Sequence, residues 1–123
     1  MAHSQYLSNV YIYGNSFDKG YPIDVATVTI EAGMKSGSVL ELSGGKYIWV
    51  VAANAANAVA VLADESADQE TELTAGDHEL KIVARGAGVG RDYLNYKDTL
   101  DANQKATAEA ALLAVGIKTE AQV

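Results

Sequence analysis

The sequence predicts an α+β, β-rich fold: a small compact domain of about five or six short strands, one C-terminal helix and an extended N-terminal arm. Three observations carry this. Period-two apolar runs recur between glycine turns from residue 25 onward, one capped helical segment occurs late, and residues 1 to 24 are polar and aromatic with no helical apolar period. The expected organisation is an arm over 1–24, a domain over 25–118 and a tail over 119–123.

Within the arm, Tyr6, Tyr11, Tyr13, Phe17 and Tyr21 stand among Ser, Asn, Asp and Gly. Asn9-Val10-Tyr11-Ile12-Tyr13 has strong β propensity, but Gly14-Asn15-Ser16 follows at once, so any strand there is short and needs a partner. Two partners stay open: the domain's own sheet, or an exposed strand edge on another protein.

Val25 to Glu31 alternates, with Ala26, Val28 and Ile30 on one face and Thr27, Thr29 and Glu31 on the other, which reads as a half-buried strand. Gly33-Met34-Lys35-Ser36-Gly37 is a turn. Ser38 to Leu42 is a strand, Ser43-Gly44-Gly45 a tight hairpin turn, and Lys46 to Ala52 its returning partner. That returning run sends Tyr47, Trp49 and Val51 to one face and Ile48 and Val50 to the other, so both faces need cover. Ala58 to Leu62 is a further strand, and Glu79 to Ala84 alternates charge with apolar side chains. For the helix, Asp101 is the cap, Gln104 completes a capping box and Gly116 terminates. Ala108, Leu112 and Val115 share its face, and this narrow stripe must lie against the sheet.

The chain has 123 residues and a mass of 12.9 kDa, the size of one domain. Its hydrophobic fraction is 49%, but 21 of those residues are alanine, and there is a single Phe and a single Trp. The core is therefore modest, and partner subunits would add burial. With no cysteine, disulfides, thiolate metal sites and cysteine nucleophiles are excluded. A net charge of −7 disfavours nucleic acid and anionic membrane surfaces as direct partners. Met1-Ala2-His3-Ser4-Gln5-Tyr6 shows no basic start and no apolar run of the kind that directs secretion, so synthesis in a cytoplasm is expected. Tyr47 to Ala63 is free of charge, but Asn54 and Asn57 interrupt it and its alanines are small, so strand, turn, strand is the reading and no membrane span is expected.

Candidate chemistry fails on spacing. Asp64 to Glu72 with Asp77 and Glu79 holds seven acids, but no central glycine or glutamate stands where a calcium loop needs it; a solvated acidic loop and no metal is the reading. Arg85-Gly86-Ala87-Gly88-Val89-Gly90-Arg91 misplaces the third glycine of a dinucleotide fingerprint and lacks a βαβ unit beyond it, so it reads as a conformational turn with no cofactor. His3 and His78 have no nucleophile at motif distance, and Met34-Lys35-Ser36-Gly37-Ser38 lacks the first glycine of a nucleophile elbow. No catalytic residue is assigned and no enzyme is expected.

Gly20-Tyr21-Pro22, Thr27 to Gly33, Gly37-Ser38-Val39-Leu40 and Gly44-Gly45-Lys46-Tyr47, in that order, resemble the opening of lambda-type phage head decoration proteins. Ala58 to Glu65, Arg85-Gly86, Tyr93-Leu94 and Leu112 to Ile117 continue the likeness, which covers about residues 17 to 118. The arm before Phe17, the acidic stretch from Ala67 to Asp77 and the tail from Lys118 depart from it. The resemblance implies a structural protein that forms a homotrimer and cements an expanded capsid at three-fold and quasi-three-fold positions. The major capsid protein is the implied partner and the outer surface of the virion the implied location. Tyr6, Asn9, Val10, Tyr11, Ile12 and Tyr13 are the expected capsid-binding residues of the arm; the turns at Gly33 to Gly37 and Gly86 to Gly90 are the fallback surface. Another virion or fibre-base module, or a small ligand-binding domain using the glycine turn, are the alternatives.

Overall fold

The computed structural model describes residues 11–14, 23–64 and 74–120. Eight strands and one α-helix follow in chain order: β1 (Tyr11–Gly14), β2 (Ile23–Ile30), β3 (Val39–Ser43), β4 (Lys46–Trp49), β5 (Ala58–Leu62), β6 (Gly76–Val83), β7 (Ala87–Gly90), α1 (Ala102–Ala114) and β8 (Ile117–Glu120). The β-rich class with one C-terminal helix is what the sequence predicts. Strands β2, β4, β3, β5 and β6 close a small barrel in that order, and β1, β7 and β8 form a separate three-stranded sheet.

Local chemistry accounts for most of the barrel. The β3–β4 hairpin pairs Ser43 with Lys46 across two glycines at φ 60° and 83°, values that side chains resist and that match the twist of the paired strands. Strand β4 ends at Trp49, short of the expected Ala52, and the Ala-Asn-rich turn beyond it takes the form of a 3-10 segment (Ala52–Asn57). Glu41 explains its placement: this carboxylate, 4% exposed, accepts from the Val51 backbone N–H at 3.2 Å and from Asn54 Nδ2 at 3.1 Å, so the segment's entry is satisfied from β3.

Two cores flank β5. Val28, Leu40, Ala60, Leu62, Leu80 and Ile82 fill the barrel interior. Val39, Val61 and Val83, one residue out of phase, face the other way and meet Ala108, Leu112 and Ile117. Strand β5 is thus buried on both sides, which is why Ala58 to Ala63 reads as a continuous apolar run. Helix α1 carries both halves of the expected capping box, Gln104 N–H to Asp101 Oδ1 at 2.8 Å and Asp101 N–H to Gln104 Oε1 at 2.9 Å. Gly116 at φ 87° ends it, and the chain turns directly into β8.

Two elements differ from the sequence reading. Ala87 to Gly90 is not a turn but β7, the central strand of the small sheet, and Ile117 to Glu120 is a strand where only a helix exit and a tail were expected. Strand β7, Ala-Gly-Val-Gly, lacks the β-branched alternation that marks a strand, because it is defined by its partner strands rather than by a half-buried face, whereas β8 carries that alternation for only four residues, Ile117 to Glu120. Strand β2 also begins at Ile23 and β6 at Gly76, both earlier than the alternation alone indicates.

Candidate functional site

The small sheet places the arm. Its order is β1-β7-β8, with β1 antiparallel to β7 (Tyr11 opposite Val89, Gly14 opposite Ala87) and β8 parallel to it. Register shifts between Tyr11 and Tyr13, a bulge that bends the strand. All four residues of β7 are buried. Among the described residues, β1 and β8 are the two edge strands of this sheet, and they differ. The Gly116 carbonyl accepts from Ala87 N–H at 3.1 Å, so strand alternation turns the Thr119 carbonyl to the outer side of β8. There it accepts from Arg91 Nη2 at 3.0 Å.

Arg91 is fixed in turn by Glu109 of α1 (Nε to Oε1, 3.3 Å), whose Oε1 also accepts from Thr119 Oγ1 at 3.2 Å. The Tyr96 hydroxyl donates to the other oxygen of Glu109 at 3.4 Å. Burial, and secondarily the negative charge of Glu109, push the Tyr96 phenol well above its ordinary range. This cluster pins helix, β8 and the segment after β7 together.

The turn at Gly33 to Gly37 is held from the side by Asn95. Its Nδ2 donates to the Gly33 carbonyl at 3.0 Å and to Ser38 Oγ at 2.9 Å, and its backbone N–H donates to the Gly37 carbonyl at 2.8 Å. The indole of Trp49 closes the arrangement, lying within reach of Gly33 and under Lys97, which pairs with Glu31 at 3.2 Å. Trp49 is 6% exposed and Val50 fully buried, so both faces of that run are covered.

Elsewhere the surface is stitched by ion pairs. Arg85 meets Asp24 with two donors, at 2.6 and 3.2 Å, and this hydrogen bonding raises the guanidinium's pKa. Asp77 accepts from Lys46 and from Thr29 Oγ1, which holds its carboxyl below the ordinary value. Exposed apolar side chains are Val25, Leu42, Tyr93 and Leu113. Among the described residues no three His, Asp or Glu side chains converge as metal ligands, and no helix is long and apolar enough to cross a membrane. His78 rests on the Thr74 carbonyl at 2.8 Å.

Of the arm residues expected to bind a partner, Tyr6, Asn9 and Val10 lie outside the described residues. Tyr11, Ile12 and Tyr13 are in β1 and pair with the chain's own sheet, the first of the two alternatives the sequence leaves open. The fallback surface divides: Gly33 is exposed on its turn, whereas Gly86 to Gly90 is buried and presents no surface. Sequence reasoning misses Arg91 and Asn95. The signal for Asn95 is its place between two tyrosines, an amide in an aromatic stretch where a side-chain hydrogen-bonding role is the economical explanation.

No curated protein and no solved structure matches the chain. The family model of the bacteriophage lambda head decoration protein D matches residues 5–117, a span that takes in β1 to β7, the whole of α1 and the first residue of β8. The chain therefore belongs to the bacteriophage lambda head decoration protein D family and is a structural capsid-decoration protein of the phage virion.

Proposed function

We propose that the protein binds the expanded phage head as a homotrimer at three-fold and quasi-three-fold sites, contacts the major capsid protein there through its N-terminal arm, and stabilises the shell. The observation that carries this reading is the family match across residues 5–117. The reading assigns no catalytic role, cofactor or metal, places the protein on the outer surface of the capsid, and has it made in the host cytoplasm. Supporting it, Val25, Leu42 and Leu113 are more than half exposed on a chain whose core is rich in alanine, surface that subunit contacts would bury. The arm residues Tyr6, Asn9, Val10, Tyr11, Ile12 and Tyr13 supply main-chain pairing and tyrosine contact area.

The test is to mix purified protein with expanded heads that lack it. Co-sedimentation, density over three-fold axes by electron microscopy, and a rise in the heat resistance of the heads are expected. Light scattering of the free protein reports the trimer; a monomer at all concentrations would confine trimer formation to the shell. Heads that neither bind the protein nor gain resistance would overturn the reading.

A further inference from the structure

Among the described residues β8 has β7 on one side and no strand on the other, and its sequence, Ile-Lys-Thr-Glu, holds no proline or glycine that would spoil pairing. The register with β7 decides which groups face out. Because Ala87 N–H donates to the Gly116 carbonyl, Lys118 and Glu120 turn their main-chain groups toward β7, and Ile117 and Thr119 turn theirs away. Thr119 is thus the centre of the edge that β8 presents.

That edge is complementary to itself. With two copies of β8 antiparallel about Thr119, the two threonines stand opposite one another and exchange both main-chain bonds, while Lys118 of each copy stands opposite Glu120 of the other. Charged side chains ordinarily keep strand edges apart. Here opposite signs meet, so Lys118 and Glu120 would favour the pair.

Arg91 stands in the way. Its Nη2 donates to the Thr119 carbonyl at 3.0 Å and reaches Thr119 Oγ1 at 3.4 Å, so an acceptor that the pair requires is already taken. The side chain is anchored: its Nε meets Glu109 Oε1 at 3.3 Å, and Glu109 also accepts from Thr119 Oγ1 at 3.2 Å and from the Tyr96 hydroxyl at 3.4 Å. A two-fold pair would also bring two Arg91 guanidiniums, of like charge, to one junction.

We propose that Arg91 is an edge guard: by occupying the Thr119 carbonyl it keeps β8 of one copy from pairing with β8 of another. The guard concerns the free protein and is independent of the capsid-binding reading. On a unit that carried several such edges, pairwise joining would not close, and an open network would form in place of a dispersed protein.

Light scattering of the full chain over a concentration series tests it, with wild type measured alongside. Arg91→Ala, folded by circular dichroism, is expected to reach about twofold or more the wild-type mass at the same concentration. Arg91→Lys, which keeps a charged donor, is expected to stay at the wild-type mass. Thr119→Pro removes an outward N–H and none that β7 uses, so adding it to Arg91→Ala should return the mass to the wild-type value. A folded Arg91→Ala chain with wild-type mass would overturn the proposal. So would a rise in mass that Thr119→Pro leaves in place, because association would then run through another surface. If Arg91→Ala does not fold, Glu109→Gln, which loosens the anchor and keeps the arginine, must show a rise that Thr119→Pro reverses, and its absence overturns the proposal.

Discussion

The indole N–H of Trp49 donates to the backbone carbonyl of Asn95 at 3.0 Å, across 46 positions of sequence. That same carbonyl accepts from Val39 N–H at 3.2 Å, so one backbone oxygen ties the end of β4 and the start of β3 to the segment after β7. Asn95→Ala keeps the carbonyl but removes both side-chain bonds to Gly33 and Ser38. A loss of about 1–3 kcal/mol in urea unfolding is expected, followed by Trp49 emission, which starts blue-shifted in the native protein. Wild-type stability in this variant would show that the turn is held by other means.

Gly37 sits at φ 99°, and a Cβ there would lie 1.9 Å from the Tyr93 carbonyl oxygen, a backbone atom that cannot turn aside. Gly37→Ala combines left-handed strain with a clash. Destabilisation of roughly 2–4 kcal/mol is expected by thermal or chemical melting. Gly44→Ala, with open space around it, meets only the conformational cost and should lose no more than about 1–2 kcal/mol.

Neighbouring leucines on α1 separate the core from the surface. Leu112 is fully buried and Leu113 is 60% exposed. Leu112→Ala should lose about 2–5 kcal/mol, and Leu113→Ala about 0.5 kcal/mol or less in the free subunit. If subunits or capsid cover Leu113, the second variant weakens assembly while leaving the melting of the free subunit unchanged, and comparing the two measurements decides.

The alkaline limb of stability should bear the mark of Tyr96. Its folded pKa is raised above the ordinary 10.0, so the stabilising effect is complete below that value and is lost as pH climbs toward the folded pKa. Ultraviolet titration should show one tyrosine that resists ionisation until the protein unfolds, and Tyr96→Phe should abolish that lag.

At the acid end the sign reverses. Asp77 is held below its ordinary 3.8, first by the Lys46 hydrogen bond and then by Thr29. Its contribution is present above that value and fades as pH falls through the folded pKa. Carboxyl chemical shifts followed by NMR should place the Asp77 midpoint under that of a free aspartate, and Lys46→Met should bring it back up.

Where periodicity reports burial, the sequence is legible. Val28 and Ile30 point inward as their alternation requires, the Ser43 to Lys46 hairpin forms at its two glycines, and Asp101 with Gln104 caps α1. Strand β7 is illegible for a physical reason. Ala87-Gly88-Val89-Gly90 has the composition of a turn, and only the approach of β1 and β8 on either side makes it a strand. The arm is half legible: its β propensity identifies a strand, but which edge receives it depends on a β7 that local sequence conceals. The tie between Asn95 and the Gly33 turn spans 62 positions, beyond any spacing rule.

Strand β5 serves as a party wall, with Ala60 and Leu62 lining the barrel and Ala58 and Val61 facing the helix. A shift of its backbone that suits one room intrudes on the other. Under mutational drift β5 should therefore be the slowest strand to change, and repacking that rescues one side should come with compensating change on the other. The two chambers also have no independent melting: the fold should come apart in a single step, with barrel and helix layer failing together.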